Sequence, residues 1–101
     1  MKTLNESFNS ISVKKGEKFA IELGENPSTG FQWGVDVSKG KAEFNYSSYK
    51  SPKGLMAVGA GGKRKFVFTA TEAGDVEITA EYKRAWEGEA AQTQKFKVAV
   101  K

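Results

Sequence analysis

The chain has 101 residues, 39% hydrophobic and 28% charged, with a net charge of +4 and neither cysteine nor histidine. That length suits one folded domain over 1–101 with one core, and the composition is that of an ordered globular chain. The missing residue types exclude disulfides, zinc-thiolate sites, thiol nucleophiles and Ser-His or Cys-His catalysis. The 12 acidic residues keep two-carboxylate chemistry formally open, but they are scattered, mostly at outward positions of the expected strands. The reading is therefore of a protein that is not an enzyme and takes no cofactor or metal.

The opening "MKTLNESFNS" has one Lys but no apolar h-region, so it does not read as an intact signal peptide; an extracytoplasmic form would have lost its leader already. No apolar run approaches the ~20 residues a membrane-spanning helix needs. From there, period-two alternation runs along the chain. It links Ile11 and Val13; Phe19, Ile21 and Leu23; then Phe31, Trp33, Val35 and Val37. Phe44 and Tyr46 make a weaker pair, followed by Phe66, Phe68 and Ala70, by Val76, Ile78, Ala80 and Tyr82, and by Phe96, Val98 and Val100. No segment of comparable length shows a helical period. Short strands with one apolar face each need a second sheet to cover them, which predicts a β-sandwich or a small barrel. Trp33, in mid-strand, is expected at the centre of its core.

Charge is unevenly placed. Residues 1–40 carry five Lys and five acids, whereas the stretch 50–65 carries Lys50, Lys53, Lys63, Arg64 and Lys65 with no acid. Such a patch raises nucleic acid, an acidic membrane or an acidic protein as partner.

Three connections are more specific than strand turns require. In Asn26-Pro27-Ser28-Thr29-Gly30 the proline restricts its own backbone and that of Asn26, and Gly30 permits a shape other residues resist; a tight hairpin turn is the plain alternative. Gly59-Ala60-Gly61-Gly62 is glycine-rich, yet Ala57 and Arg64 stand where a phosphate-binding loop needs Gly and Ser or Thr, and Arg64 also occupies the third Gly of the dinucleotide fingerprint. What remains is a glycine loop beside Leu55, Met56 and Val58, either flexible or a surface that meets a partner. Arg84-Ala85-Trp86 carries a Trp beyond the strand alternation, either a core lid or an interface anchor.

Taken together, the three stretches resemble the chagasin-type inhibitors of papain-like cysteine peptidases, whose loops read Asn-Pro-Thr-Thr-Gly, Gly-x-Gly-Gly and Arg-Pro-Trp in that order. The similarity extends over nearly the whole chain and includes Phe31-Gln32-Trp33 after the first motif and "EYKRAWE" into the third. Two positions depart: Ser28 replaces a Thr, keeping the hydroxyl, and Ala85 replaces a Pro, loosening the backbone beside Trp86. The resemblance implies an all-β, immunoglobulin-like sandwich of seven or eight strands without a disulfide, with the loops side by side at one end. It implies that Asn26, Pro27, Ser28, Thr29 and Gly30 enter the peptidase cleft and cover the catalytic Cys-His pair. Gly59, Ala60, Gly61 and Gly62 on one side, and Arg84, Ala85 and Trp86 on the other, would grip the flanks. Arg84 would pair with an acid of the peptidase or brace its own loop. The implied protein is a reversible, non-covalent inhibitor, monomeric when free, that binds neither nucleic acid nor membrane. Two readings stand against it: a small nucleic-acid-binding barrel, which the charge and the "KRK" at 63–65 favour, and a plain structural sandwich domain in which the three loops are dispensable.

Overall fold

A computed structural model describes residues 1–51, 61–86 and 88–101. Gly59 and Ala60 of the second motif, its apolar flank 55–58 and Lys53 lie outside the described residues. The strands are β1 (Lys2–Leu4), β2 (Ser10–Val13), β3 (Lys18–Glu25), β4 (Phe31–Lys39), β5 (Glu43–Lys50), β6 (Gly62–Thr69), β7 (Gly74–Arg84) and β8 (Gln92–Val100), with a 3-10 turn at Pro27–Thr29. Every alternating segment of the sequence lies in a strand or at its end, because the pleat places residues i and i+2 on one face and that face is apolar. The first strand was not expected from the sequence. Its three residues carry one buried anchor, Leu4, too short a run to display a period.

The strands form two four-stranded sheets, β1-β3-β6-β5 and β2-β8-β7-β4. Pairing is antiparallel except for β1 on β3 and β2 on β8. Among the described residues each sheet keeps two free edges, so this is an immunoglobulin-like sandwich and not a closed barrel. Phe19, Ile21 and Leu23 of β3 and Phe66 and Phe68 of β6 face Val76, Ile78 and Ala80 of β7 and Phe96, Val98 and Val100 of β8, all buried. The rings of Phe19 and Phe68 stack at 5.4 Å with 10° between their planes. Phe19, Phe66, Phe68 and Phe96 are thus spent between the sheets, where no base could stack on them. Trp33 belongs to this core, at 7% exposure. It sits under one end of the sandwich and not at its centre, because β4 begins only two residues before it.

The weak alternation at Phe44 and Tyr46 has a structural cause. A bulge between them sets Phe44 opposite Phe68 but Tyr46 opposite Val67, so the two side chains project to different faces. Phe44 packs edge-on against Phe68 at 5.5 Å, while Phe44 and Tyr46 each stay half exposed.

Phe68 touches both Phe19 and Phe44 at the heart of one sheet's inner face. Phe68→Ala is expected to destabilise the fold by about 4 kcal/mol through lost burial and a residual cavity. Phe8→Ala, at a side chain 58% exposed, should stay within about 0.5 kcal/mol. Urea denaturation followed by far-UV circular dichroism checks both.

Candidate functional site

The register brings the three motifs together. The first loop links β3 to β4 and so passes from one sheet to the other, between Glu25 and Phe31. Glu25 lies opposite Gly62, the first residue of β6, which places the end of the second motif beside it. Phe31 lies opposite Arg84, the last residue of β7, which places the third motif on its other side. Gly61 and Gly62, Asn26 through Gly30, and Arg84 through Trp86 therefore share one end of the sandwich.

Within the first loop the polar side chains are turned on their own backbone. Asn26 Oδ1 accepts the Ser28 N–H at 3.2 Å and the Ser28 hydroxyl at 2.7 Å. The Asn26 carbonyl accepts the Thr29 N–H at 3.1 Å and the Thr29 hydroxyl at 2.7 Å. Thr29 Oγ1 in turn accepts the Phe31 N–H at 3.3 Å. These local bonds close the turn as Asx and Ser/Thr turns do. Ser28 and Thr29 are exposed, so what they present outward is a pre-shaped turn rather than unengaged hydroxyls.

Gly30 is required twice over. Its φ is +82°, and a Cβ there would lie 3.3 Å from Cη2 of the Trp86 ring. The Trp86 ring thus leans on the base of the first loop while remaining 74% exposed. This decides between the two readings of Trp86: it is not a core lid. Arg84 braces the loop, its guanidinium 4.5 Å from the Phe31 ring centroid and 5.8 Å from that of Trp86. Below them Phe31 stacks on Tyr82 at 5.2 Å and Tyr82 on Trp33 at 4.8 Å. An aromatic and cationic ladder runs from the buried Trp33 to the exposed Trp86. Phe31 is only partly buried.

On the other flank, Gly62 meets the Lys50 carbonyl and lies where a Cβ would be 2.6 Å from the Tyr49 hydroxyl. No larger residue fits where the two arms of the second loop, the end of β5 and the start of β6, close on each other. A Cβ on Gly61 would lie 3.3 Å from the Glu25 carbonyl and 3.5 Å from Asn26 Cβ.

One group beneath the loops was not anticipated from the sequence. Glu25 is 2% exposed, and its carboxylate joins the two sheets. Oε2 accepts from Arg64 Nη2 at 2.7 Å and Nε at 3.0 Å, while Oε1 accepts the backbone N–H of Trp33 at 2.8 Å. Trp33 Nε1 donates to the neighbouring Gly24 carbonyl at 2.7 Å. Arg64, counted in the sequence as part of a basic surface, turns inward and lies 5.3 Å from the Tyr49 ring centroid. The signal was present: the alternation Phe19, Ile21, Leu23 continues to Glu25, and Phe68, Phe66 continues back to Arg64, so both charges fall on inward positions.

A sandwich that brings three loop motifs to one end and exposes Trp86 among them has the form of a binding module. The chain matches the family described as Chagasin family peptidase inhibitor I42 over residues 12–100. It is 32% identical over 95 residues to Chagasin of Trypanosoma cruzi, covering 90% of this chain and 86% of the relative. It is 35% identical over 77 residues to Amoebiasin-1 of Entamoeba histolytica, covering 75% and 74%. The crystal structure of the cysteine protease inhibitor EhICP2 from Entamoeba histolytica superposes with a TM-score of 0.84 over 99% of this chain and 95% of that one, at 20% identity. The chain belongs to the chagasin family of peptidase inhibitors.

Removing Glu25 would leave the Arg64 guanidinium and the Trp33 N–H without their shared acceptor. Glu25→Ala is expected to cost about 3 kcal/mol of stability. Glu25→Gln, which keeps one acceptor oxygen and the shape, should cost clearly less. Thermal and urea denaturation of the two variants give the comparison.

Proposed function

We propose that this chain inhibits papain-like cysteine peptidases reversibly and without covalent attachment, by seating the Asn26–Gly30 loop in the active-site cleft with the other two loops against its sides. The observation that carries the reading is Trp86, held exposed beside the first loop by contact with Gly30 and Arg84. A large apolar surface fixed in that position gains most when a partner covers it. Family membership supplies the partner class. The chain offers no thiol and no histidine with which to trap an enzyme chemically, so blockade is steric.

The geometry suits a wedge. The first loop is ordered by its own hydrogen bonds before any partner arrives, so little entropy remains to be lost on binding. Gly61 brings the stem of the second loop close against Glu25 and Asn26 at the base of the wedge. Arg84, occupied with Phe31 and Trp86, acts as a brace for the third loop. Asn26, Pro27, Ser28, Thr29 and Gly30 form the wedge, Gly59, Ala60, Gly61 and Gly62 one grip, and Arg84, Ala85 and Trp86 the other.

The decisive measurement is steady-state inhibition of a cathepsin-L-like peptidase. Competitive inhibition is expected, with trypsin unaffected, and binding should persist to a peptidase whose catalytic Cys is replaced by Ala. Loss of inhibition across several papain-like peptidases would overturn the reading. Within the site, Trp86→Ala should weaken inhibition about thirtyfold, equivalent to ~2 kcal/mol. Thr29→Ala should weaken it about fivefold, ~1 kcal/mol, because the hydroxyl serves only the loop's internal hydrogen bonds to the Asn26 carbonyl and from the Phe31 N–H. Since Trp86 is mostly exposed, its variant should keep the parental melting temperature.

A further inference from the structure

The basic stretch 50–65 does not act as one patch. Arg64 is bound inward to Glu25. Lys65 stands opposite Glu22 across β3 and β6, a pairing of opposite charges. Lys50 and Lys63, both exposed, stand directly opposite each other across β5 and β6. Among the described residues neither takes part in an ion pair. Like charges facing each other across a ladder destabilise a sheet. A lysine on the edge strand β5 has a use against edge-to-edge aggregation, but β6 is an inner strand, so Lys63 serves no such purpose. One acid, Glu6, stands on the same face: its Oε1 accepts the Gly24 N–H at 3.1 Å and lies 3.8 Å from where a Cβ on Gly24, the partner of Lys63, would stand, but it forms an ion pair with neither lysine, so the pair keeps a net positive charge. Position completes the argument. Lys50 is the last residue of β5, Lys63 follows Gly62 at the start of β6, and Lys63 is paired with Gly24, two residues before Asn26. The two ammonium groups belong to the rim of the loop-bearing end, on the flank of the second motif.

Resting on the inhibitory reading above, we propose that Lys50 and Lys63 form an electrostatic docking face, and that the peptidase this chain serves is acidic on the rim of its cleft beside the second loop. The pair speeds encounter and selects among papain-like peptidases by the charge of that rim. It adds little to the docked complex, because rim charges act on the association rate more than on dissociation.

The test is stopped-flow association with two papain-like peptidases of opposite net charge, at low and at high salt. Against the acidic enzyme at low salt, the double variant Lys50→Glu/Lys63→Glu should associate about tenfold more slowly or worse, with its dissociation rate nearly unchanged. At about 0.5 M salt, where screening shortens the range of charge interactions to a few ångströms, the difference should collapse. Against the basic enzyme the same variant should associate faster than the parent. The control Lys14→Glu/Lys15→Glu makes the same change in net charge at the far end of the sandwich and should alter association less than about twofold. If both double variants behave alike, net charge and not this face governs encounter, and the proposal falls. Parental association by the Lys50/Lys63 variant, together with lost binding to a single-stranded oligonucleotide, would overturn it in favour of a nucleic-acid face. Failure of the parent to inhibit either enzyme would remove the inhibitory reading and this face with it. Inhibition retained with an unresponsive association rate would remove the face alone.

Discussion

The carboxylate of Glu25 is the constraint on which the working end of this protein depends. It sits at the last position of β3, almost fully buried, where an ionised group must be paired and hydrogen-bonded to be tolerated. Arg64 satisfies it from the neighbouring strand of its own sheet, and the Trp33 N–H satisfies it from the opposite sheet. A single side chain thereby fixes the distance between β3, β6 and β4 directly beneath the loops. Apolar packing of equal volume would supply comparable stability. It would not supply direction. The hydrogen bonds set where β4 starts relative to β3, and the first loop must span that gap.

Above this crosslink, order passes upward in steps. The Trp33 indole is tied to the Gly24 carbonyl, Tyr82 stacks on Trp33, Phe31 on Tyr82, and Arg84 lies over Phe31. Each contact is modest, on the order of 1 kcal/mol. Their sequence turns a rigid core into a rigid rim, so that an exposed Trp86 is held in one place rather than swinging on a loop. The Tyr82 hydroxyl also accepts the Asn26 N–H at 3.4 Å, joining the ladder to the wedge. Preorganisation of this kind lowers the cost of binding without adding a single contact to the partner.

Glycine does the complementary work of bringing loops close. Gly30 leaves room for the Trp86 ring and Gly62 for the Lys50 carbonyl and Tyr49. A motif rich in glycine is often read for its flexibility or as a phosphate cradle. Here Gly61 and Gly62 are positions of close approach, to Glu25 and Asn26 and to Lys50 and Tyr49.

Much of this was legible in the chain itself. Alternation of Phe, Ile, Val and Trp marked the seven longer strands, because a pleated strand with one buried face leaves that period in any sequence. The three motifs were legible because Pro, Gly and an out-of-phase Trp are unusual where they stand. Three features were not. β1 is too short to show a period. The bulge that sends Phe44 and Tyr46 to opposite faces depends on pairing with β6, not on local preference. The Glu25–Arg64 pair lies 39 residues apart in sequence, and a count of charges cannot see it. The sequence by itself determined the seven longer strands, their inward faces and the identity of the three loops, since these follow from local periodicity and backbone chemistry. Only the tertiary structure decided that those loops share one end, that Arg64 meets Glu25 while Lys50 faces Lys63, and that Trp86 is exposed. Each of those outcomes depends on strand register, and register is set by contacts between residues that are distant in the chain.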